Sequence, residues 1–115
     1  MYTYPDVMVT PRPPELQSGR KDTVINPILV AEILSDSTEA YDRGDKFGHY
    51  RTLETFQEYV LIDQHRPHVE HYVSQTEGAW LFREYSKLSD SFSLSSVPAE
   101  ISLAELYEVV EFATT

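Results

Sequence analysis

Two carboxylic acids lie in or beside apolar stretches of this sequence, where a charge is costly. Asp6 follows Pro5 and precedes an apolar triplet, and Glu32 lies inside the apolar run 28–34. A carboxylate buried in a strand costs free energy unless it is ion-paired or bound to a metal. Two such acids on adjacent strands can share one Mg²⁺ or Mn²⁺, since hard cations of this kind take oxygen ligands. The pattern therefore suggests a two-carboxylate metal site.

A lysine further along the chain could complete this site. Lys46 stands at i, i+4 and i+7 with Tyr50 and Leu53, so it borders the apolar stripe of a predicted helix. A lysine beside a metal and a phosphate can orient an attacking water and stabilise developing negative charge. Asp6, Glu32 and Lys46 together are the residue types that metal-dependent phosphodiester hydrolysis uses.

Simpler explanations remain open at each of these positions. Asp6 could begin a strand in a Pro-Asp turn. Glu32 could pair with an arginine, and Lys46 could pair with Asp42 at i, i+4 on the helix. Spacing alone does not choose between a catalytic site and these structural roles.

A histidine zinc site and a serine nucleophile are both less favoured. His65, His68 and His71 are spaced by three, but His68 and His71 would point to opposite faces of the strand predicted over 68–74. The zinc-binding HExxH pattern is missing from the sequence. The serines of 86–96 are typical of a polar loop, with no nucleophile elbow around them.

The hydropathy pattern predicts an α/β domain. Strands are expected over 4–10, 28–34, 58–63, 68–74 and 79–85, with a short strand near 92–94. The run 28–34 is apolar enough for a strand covered on both faces. Helices are expected over about 39–53 and 102–112, the second opened by Ser102 and Glu105 as a capping box. The proline-rich segment 11–22 is expected to be an exposed loop.

Length and composition limit the possible classes of protein. The 115 residues predict a single domain, 1–115, with one hydrophobic core. There is no cysteine, which excludes disulfides and thiolate metal sites and suits a cytoplasmic location. No signal peptide and no run of about 20 apolar residues is present, so no membrane partner is expected.

The charge balance argues against extensive contact with DNA. The formal net charge is −10, whereas nucleic-acid binders usually carry a basic patch. The nearest approach to such a patch is Arg43, Lys46 and Arg51, around one predicted helix. Weak or selective contact with DNA is the most that the charge favours.

Four blocks of the sequence resemble a known family. They are YPDVMV, LVAEILSDSTEAYDRGDKFGHYR, FQEYVLIDQHRPHVEHYV and LAELYEVV. In this order they are similar to the Uma-two family of bacterial restriction-endonuclease-like domains, from about Tyr4 to Val110. The resemblance implies the PD-(D/E)xK nuclease fold, a mixed central β-sheet flanked by α-helices. It also implies metal-dependent cleavage of phosphodiester bonds as the chemistry.

The resemblance assigns roles residue by residue. Asp6 matches the acid of the Pro-Asp motif and Glu32 the acid of the next strand, so both are expected to hold Mg²⁺ or Mn²⁺. The lysine of the usual E-x-K pattern would fall at Leu34, which cannot act on water. Lys46, on the following helix, occupies the place that this family gives to its lysine. The resemblance thus predicts Asp6, Glu32 and Lys46 as catalytic residues acting on DNA.

One departure from the family affects both assembly and activity. Family members carry a segment before the Pro-Asp strand, whereas this chain has four residues before Pro5. An exposed sheet edge would favour pairing with another chain. We therefore expect a homodimer, formed by edge pairing or by exchange of the arm 1–26. The alternative functions are a catalytically inactive nuclease-fold module for DNA binding or protein assembly, and a structural domain whose acids are salt-bridged.

Overall fold

The protein is described by a computed structural model, which covers residues 7–10, 26–35 and 41–108. Five strands form one mixed sheet in the order β1-β2-β3-β4-β5. Their bounds are Val7–Val9, Leu29–Leu34, Glu58–Asp63, Val69–Ser74 and Trp80–Tyr85. β2 and β3 are parallel, and the other neighbouring pairs are antiparallel. The mixed sheet predicted from the sequence is confirmed.

A helix provides the crossover that the parallel pair β2–β3 needs. A π-helical turn, Asp42–Lys46, continues into an α-helical turn, Phe47–Tyr50, and the two together are called α1 here. The sequence predicted a longer helix, to residue 53. The chain leaves the helix in a tighter turn, in which the Thr52 N–H donates to the carbonyl oxygen of His49 at 3.1 Å and the Thr52 hydroxyl donates to the same oxygen at 2.6 Å.

The two faces of the sheet are covered by different elements. α1 packs on one face, called the helix face, where Phe47 and Tyr50 contact Val30, Tyr59 and Leu61. Phe47 stacks on Tyr59 with ring centroids 4.8 Å apart. The aromatic side chains that α1 buries therefore fix its position over the middle strands.

A hairpin and a short helix cover the other face, called the hairpin face. β6, Ser91–Ser93, pairs with β7, Glu100–Ser102, and the helix α2, Leu103–Leu106, follows directly. Their Phe92, Leu103 and Tyr107 pack against Val60 and Val69 of the sheet. The pattern analysis predicted β6 but missed β7, whose three residues are too few for alternation to be recognised.

The second predicted helix is confirmed at its start. The Ser102 hydroxyl accepts a hydrogen bond from the Glu105 backbone N–H at 3.4 Å, as a capping residue does. Residues 109–112 of the predicted helix lie outside the described residues. None of the helices that the described part of the chain forms has the length and apolarity that crossing a bilayer requires.

β2 is fully buried on the helix face but only partly buried on the hairpin face, so the prediction of a strand covered on both faces holds for one face. Ile33 is 50% exposed, while Val30, Glu32 and Leu34 are buried on the helix face. Leu34, at the E-x-K position, belongs to the core under α1. Where the E-x-K pattern has a lysine, this protein therefore has a leucine that packs in the core.

Candidate active site

Glu32 and Lys46 meet under α1. Glu32 is the middle residue of the helix-face side chains of β2, and it is only 2% exposed. Lys46 ends the π-helical turn, is 7% exposed, and places its Nζ atom 2.9 Å from Glu32 Oε1. Two of the three predicted site residues therefore form a buried ion pair. The charge of the buried Glu32 carboxylate is therefore compensated by the Lys46 ammonium group, which belongs to α1.

A second ion pair lies beside the first on the same face. The β2–β3–β4 register aligns Glu32 with Leu61 and Leu61 with Glu70, so the two glutamates flank one leucine. Arg43, on the same π-helical turn as Lys46, contacts the Glu70 carboxylate through its guanidinium. Both bases of this turn therefore hold α1 to carboxylates of the sheet.

Two further groups surround Glu70. The Tyr72 hydroxyl donates to Glu70 Oε1 at 3.1 Å, and His68 Nε2 lies 3.9 Å from Oε2. Burial and the neighbouring Glu70 charge raise the pKa of Tyr72 to about 12. The Tyr72 hydroxyl therefore stays protonated at neutral pH and remains a hydrogen-bond donor to the carboxylate.

The basic cluster expected to meet DNA is largely engaged within the protein. Arg43 and Lys46 face Glu70 and Glu32. Arg51 lies over the Phe47 ring, with Cζ 4.6 Å from the centroid. A phosphate approaching this surface would compete with these contacts.

The third predicted site residue, Asp6, lies outside the described residues, and so does the side chain of Asp42, the alternative partner of Lys46. Val7, the first described residue of β1, pairs with Ala31, the residue before Glu32. The role of Asp6 stays a prediction.

The donor chemistry at this position fits a divalent cation. Glu32 offers carboxylate oxygens from a buried strand, which Mg²⁺ and Mn²⁺ accept as ligands. Within ranges 7–10, 26–35 and 41–108, no group of three or more His, Asp or Glu side chains is placed to hold a metal. Glu32 is the one of the two predicted metal-binding acids that the structure describes.

The histidines lie as the strand alternation predicted. His68 faces Glu70 on the helix face, whereas His71 contacts Glu58 on the hairpin face. His65 is exposed in the turn after β3. Because the sheet separates His68 from His71, these three residues do not form a zinc site.

Glu58 is a buried acid that the sequence analysis passed over. It is 0% exposed, and its carboxylate accepts hydrogen bonds from the Ser95 and Ser96 backbone N–H groups and from the Ser96 hydroxyl, at 2.6–2.8 Å. His71 Nε2 also contacts it. Burial raises the pKa of Glu58, but the hydrogen bonds from His71, Ser96 and Ser95 outweigh burial and lower it to about 2.

The criterion that selected Glu32 would also have selected these missed residues. Glu58 opens the apolar strand EYVLID, and Glu70 interrupts the apolar positions of VEHYVS. Both are acids in buried strands, like Glu32. Their basic and polar partners come from distant parts of the chain, so no local spacing indicated the pairing.

Comparison with known proteins decides the family. The sequence model of Uma2, described as "Putative restriction endonuclease", matches residues 1–105. The chain belongs to the Uma2 family. This confirms the resemblance to Uma-two proteins that the four sequence blocks indicated.

Relatives and a solved structure agree with the Uma2 assignment. Two uncharacterized proteins of Synechocystis sp. are 46% identical over 83 residues and 37% identical over 111 residues. These matches cover 72% and 96% of this chain but 47% and 57% of the relatives, so the chain spans about half of their length.

A crystal structure of "a putative nuclease belonging to DUF820" from Anabaena variabilis has the same fold. It superposes with a TM-score of 0.59 at 20% identity, over 75% of this chain and 46% of that one. The fold is therefore the α/β restriction-endonuclease-like fold. Among the described residues its flanking helices are few, and both α1 and α2 are short.

Proposed function

We propose that this Uma2 domain takes part in metal-dependent hydrolysis of DNA phosphodiester bonds. The supporting observation is the buried Glu32–Lys46 ion pair on the sheet, at the place where the family's acid and lysine belong. In this proposal Asp6 and Glu32 hold Mg²⁺ or Mn²⁺, and Lys46 acts on the attacking water. Family membership supports a nuclease-like fold, and metal-dependent hydrolysis is the additional step that we propose.

Glu32 and Lys46 would have different roles in the hydrolysis. A bound divalent cation would polarise an attacking water and offset charge on the scissile phosphate. Glu32 would hold that cation from a rigid strand, which keeps its carboxylate in place through the reaction. Lys46 would then turn from Glu32 toward the phosphate, donating hydrogen bonds to its oxygens or orienting the water.

The neighbouring pair would fix the approach of Lys46. Arg43 lies one turn before Lys46 and is held by Glu70, so the turn that carries the lysine is attached to the sheet at two points. Such attachment reduces the number of positions that the ammonium group can sample, which favours a productive geometry. Arg43 remains 31% exposed in its side chain and can approach a phosphate at the rim.

The test combines binding with activity. Purified wild type is incubated with supercoiled plasmid and Mg²⁺ or Mn²⁺, and its melting temperature is measured with and without Mn²⁺. We expect metal-dependent nicking, and a rise in melting temperature because a ligand that binds the folded state stabilises it. Glu32→Gln should lose both effects.

A matched control is available in the same row of side chains. Glu84 faces the same side of the sheet as Glu32 and Glu70 but is exposed on β5. Glu84→Gln should keep the wild-type nicking rate and the full Mn²⁺ shift. Nicking that is equal in Glu32→Gln and wild type would show a contaminating nuclease and remove the assignment.

A second candidate function is a nuclease-fold module for DNA binding or protein assembly without catalysis. Its support is that both bases of the π-helical turn are already paired, and that the chain spans about half of its relatives. In that case the protein would bind DNA or a partner while Mn²⁺ left the melting temperature unchanged. The plasmid and thermal assays therefore distinguish the two candidates.

We also propose that the functional unit is a homodimer, since cutting both strands of a duplex takes two sites. The outer strands of the sheet formed by the described residues are β1 and β5. Val7 on β1 and Leu81 and Phe82 on β5 are large, exposed apolar residues. Outer strands of this kind are suited to pairing with another chain.

We also propose a cytoplasmic location, which suits a sequence without cysteine.

A further inference from the structure

A polar groove runs along the hairpin face, on the side of the sheet opposite Glu32 and Lys46. It has a volume of about 520 Å³ and lies between the strands β4 and β5 and the β6–β7 hairpin. Its walls combine basic, acidic, hydroxyl and aromatic side chains, among them His71, Arg83, Tyr85, Phe92, Ser93 and Glu100. We call it the hairpin groove.

His71 forms the buried end of this groove and is held in one orientation. It is 4% exposed, and its Nε2 atom contacts Glu58. Glu58 is itself fixed by hydrogen bonds from Ser95 and Ser96. A carboxylate that engages one imidazole nitrogen sets the orientation of the ring. Because Nε2 faces Glu58, Nδ1 is the nitrogen left to meet a ligand.

Arg83 stands directly opposite His71. The β4–β5 register pairs the two residues, so both side chains leave the same face and both line the groove. Arg43, Lys46 and Arg66 each face a carboxylate, whereas Arg83 has no ion pair or hydrogen bond among the residues that the structure describes. Glu58 lies against His71, whereas none of the described carboxylates contacts Arg83, so an anion in the groove would give the guanidinium a partner.

The remaining walls suit the body of a small organic anion. Phe92 and Tyr85 stack with centroids 4.9 Å apart and give the groove an aromatic wall. The acid that lines the groove, Glu100, belongs to β7 and accepts a hydrogen bond from the Ser91 hydroxyl at 3.1 Å. The sheet therefore contributes the bases of the groove, and the hairpin contributes the acid.

We propose that the hairpin groove binds a small aromatic ligand through an oxyanion, phosphate or carboxylate, held between Arg83 and His71. The guanidinium would make a two-point contact with the oxyanion, which is the geometry that arginine offers. Because Nε2–H is turned to Glu58, the imidazolium form of His71 would donate one hydrogen bond to the oxyanion from Nδ1. The ring of the ligand would lie against Tyr85 and Phe92. The site is independent of the nuclease proposal because it uses the other face of the sheet.

Titration by NMR tests this proposal. Phenyl phosphate, benzoate, inorganic phosphate and benzylamine are each added to ¹⁵N-labelled protein at constant ionic strength. We expect saturable shift changes confined to the Arg83 and Ser91–Ser93 amides and the His71 ring nitrogens. Phenyl phosphate and benzoate distinguish the two oxyanions, inorganic phosphate should bind more weakly than phenyl phosphate, and benzylamine should cause no change.

Variants identify the residue that carries binding. Arg83 is exposed and has no described partner, so Arg83→Gln should keep the fold, which the same spectra verify, and should weaken binding at least tenfold. Arg66→Gln, at an exposed arginine beside Asp63 and outside the groove, should bind as the wild type does. Equal binding by Arg83→Gln and wild type, or shift changes spread evenly over the protein, would overturn the proposal.

Discussion

At pH 7 the ionised carboxylate of Glu58 should stabilise the folded protein by about 3 kcal/mol. Its pKa is lowered from the ordinary 4.5 to about 2 by the hydrogen bonds that overcome burial, and each pH unit corresponds to about 1.36 kcal/mol. Because the folded pKa lies below the unfolded one, this stabilisation is complete above pH 4.5. It is lost as the pH falls toward 2.

The perturbation that isolates this contribution is Glu58→Gln, which keeps the size of the side chain and removes its charge. Chemical unfolding of both proteins at pH 3 to 7 gives their free energies of unfolding. The variant should be less stable than the wild type by about 3 kcal/mol at pH 7. The difference should fall to about 1 kcal/mol at pH 3, because most unfolded molecules have by then protonated Glu58 while most folded ones have not. Comparison with the variant is needed because protonating other carboxylates of this acidic chain relieves charge repulsion at the same time.

The control for this experiment is Glu54→Gln, which neutralises an exposed carboxylate just before β3. Its stability should follow the wild type within about 0.5 kcal/mol at every pH. A stability difference between wild type and Glu58→Gln that stays constant from pH 3 to 7 would refute the reasoning. It would mean that the lost stability comes from packing and not from the charge of Glu58.

The remaining predictions concern the ion pairs, the helix α2 and assembly. Lys46→Met should lower the free energy of unfolding by about 3–5 kcal/mol, because it leaves the buried Glu32 charge without its lysine. The double variant Lys46→Met with Glu32→Gln should lose less stability than Lys46→Met alone, and urea unfolding measures both losses. Equal losses of stability in the single and the double variant would contradict a stabilising contact between Glu32 and Lys46. Tyr107→Phe should cost about 1–2 kcal/mol in the same assay, because the hydroxyl donates to the Asp63 carbonyl at 2.6 Å and the phenylalanine cannot. Light scattering at low micromolar concentration should give the mass of a dimer, and a clean monomer would contradict the homodimer proposal.

Strand positions were predictable from the sequence because long apolar runs and alternation are local signals. EYVLID became β3 without a change of bounds, and β2 begins one residue later than predicted. The length of α1 was not predictable in the same way. At its end the Thr52 and Leu53 N–H groups donate to carbonyl oxygens three residues earlier, a local tightening that apolar spacing does not indicate.

The candidate site was predictable where the family pattern could be carried over and not where partners come from distant strands. Glu32 and Lys46 were selected from the sequence, and the structure brings them together. Glu70 was missed because its partner, Arg43, lies 27 positions earlier in the chain and meets it only once β4 has paired with β3. Asp6 remains a prediction, since it lies outside the described residues.

The three buried acids of the sheet differ in how easily a cation could replace their partners. Glu58 is held by backbone N–H groups and a hydroxyl that belong to the fold itself, so its surroundings cannot be exchanged without moving the hairpin. Glu70 is held by a guanidinium and a tyrosine hydroxyl together. Lys46, in contrast, offers Glu32 a point charge on a flexible stem.

In the proposed function, that difference makes Glu32 the acid whose present partner a divalent cation would replace. A divalent cation that displaced the ammonium group would leave the Glu32 carboxylate compensated, so its burial would not become more costly. The displaced lysine would remain within reach of the cation and its phosphate, because α1 is still held by Arg43 and by the Phe47 ring on Tyr59. The same contacts that stabilise the protein without metal would then place the lysine for catalysis.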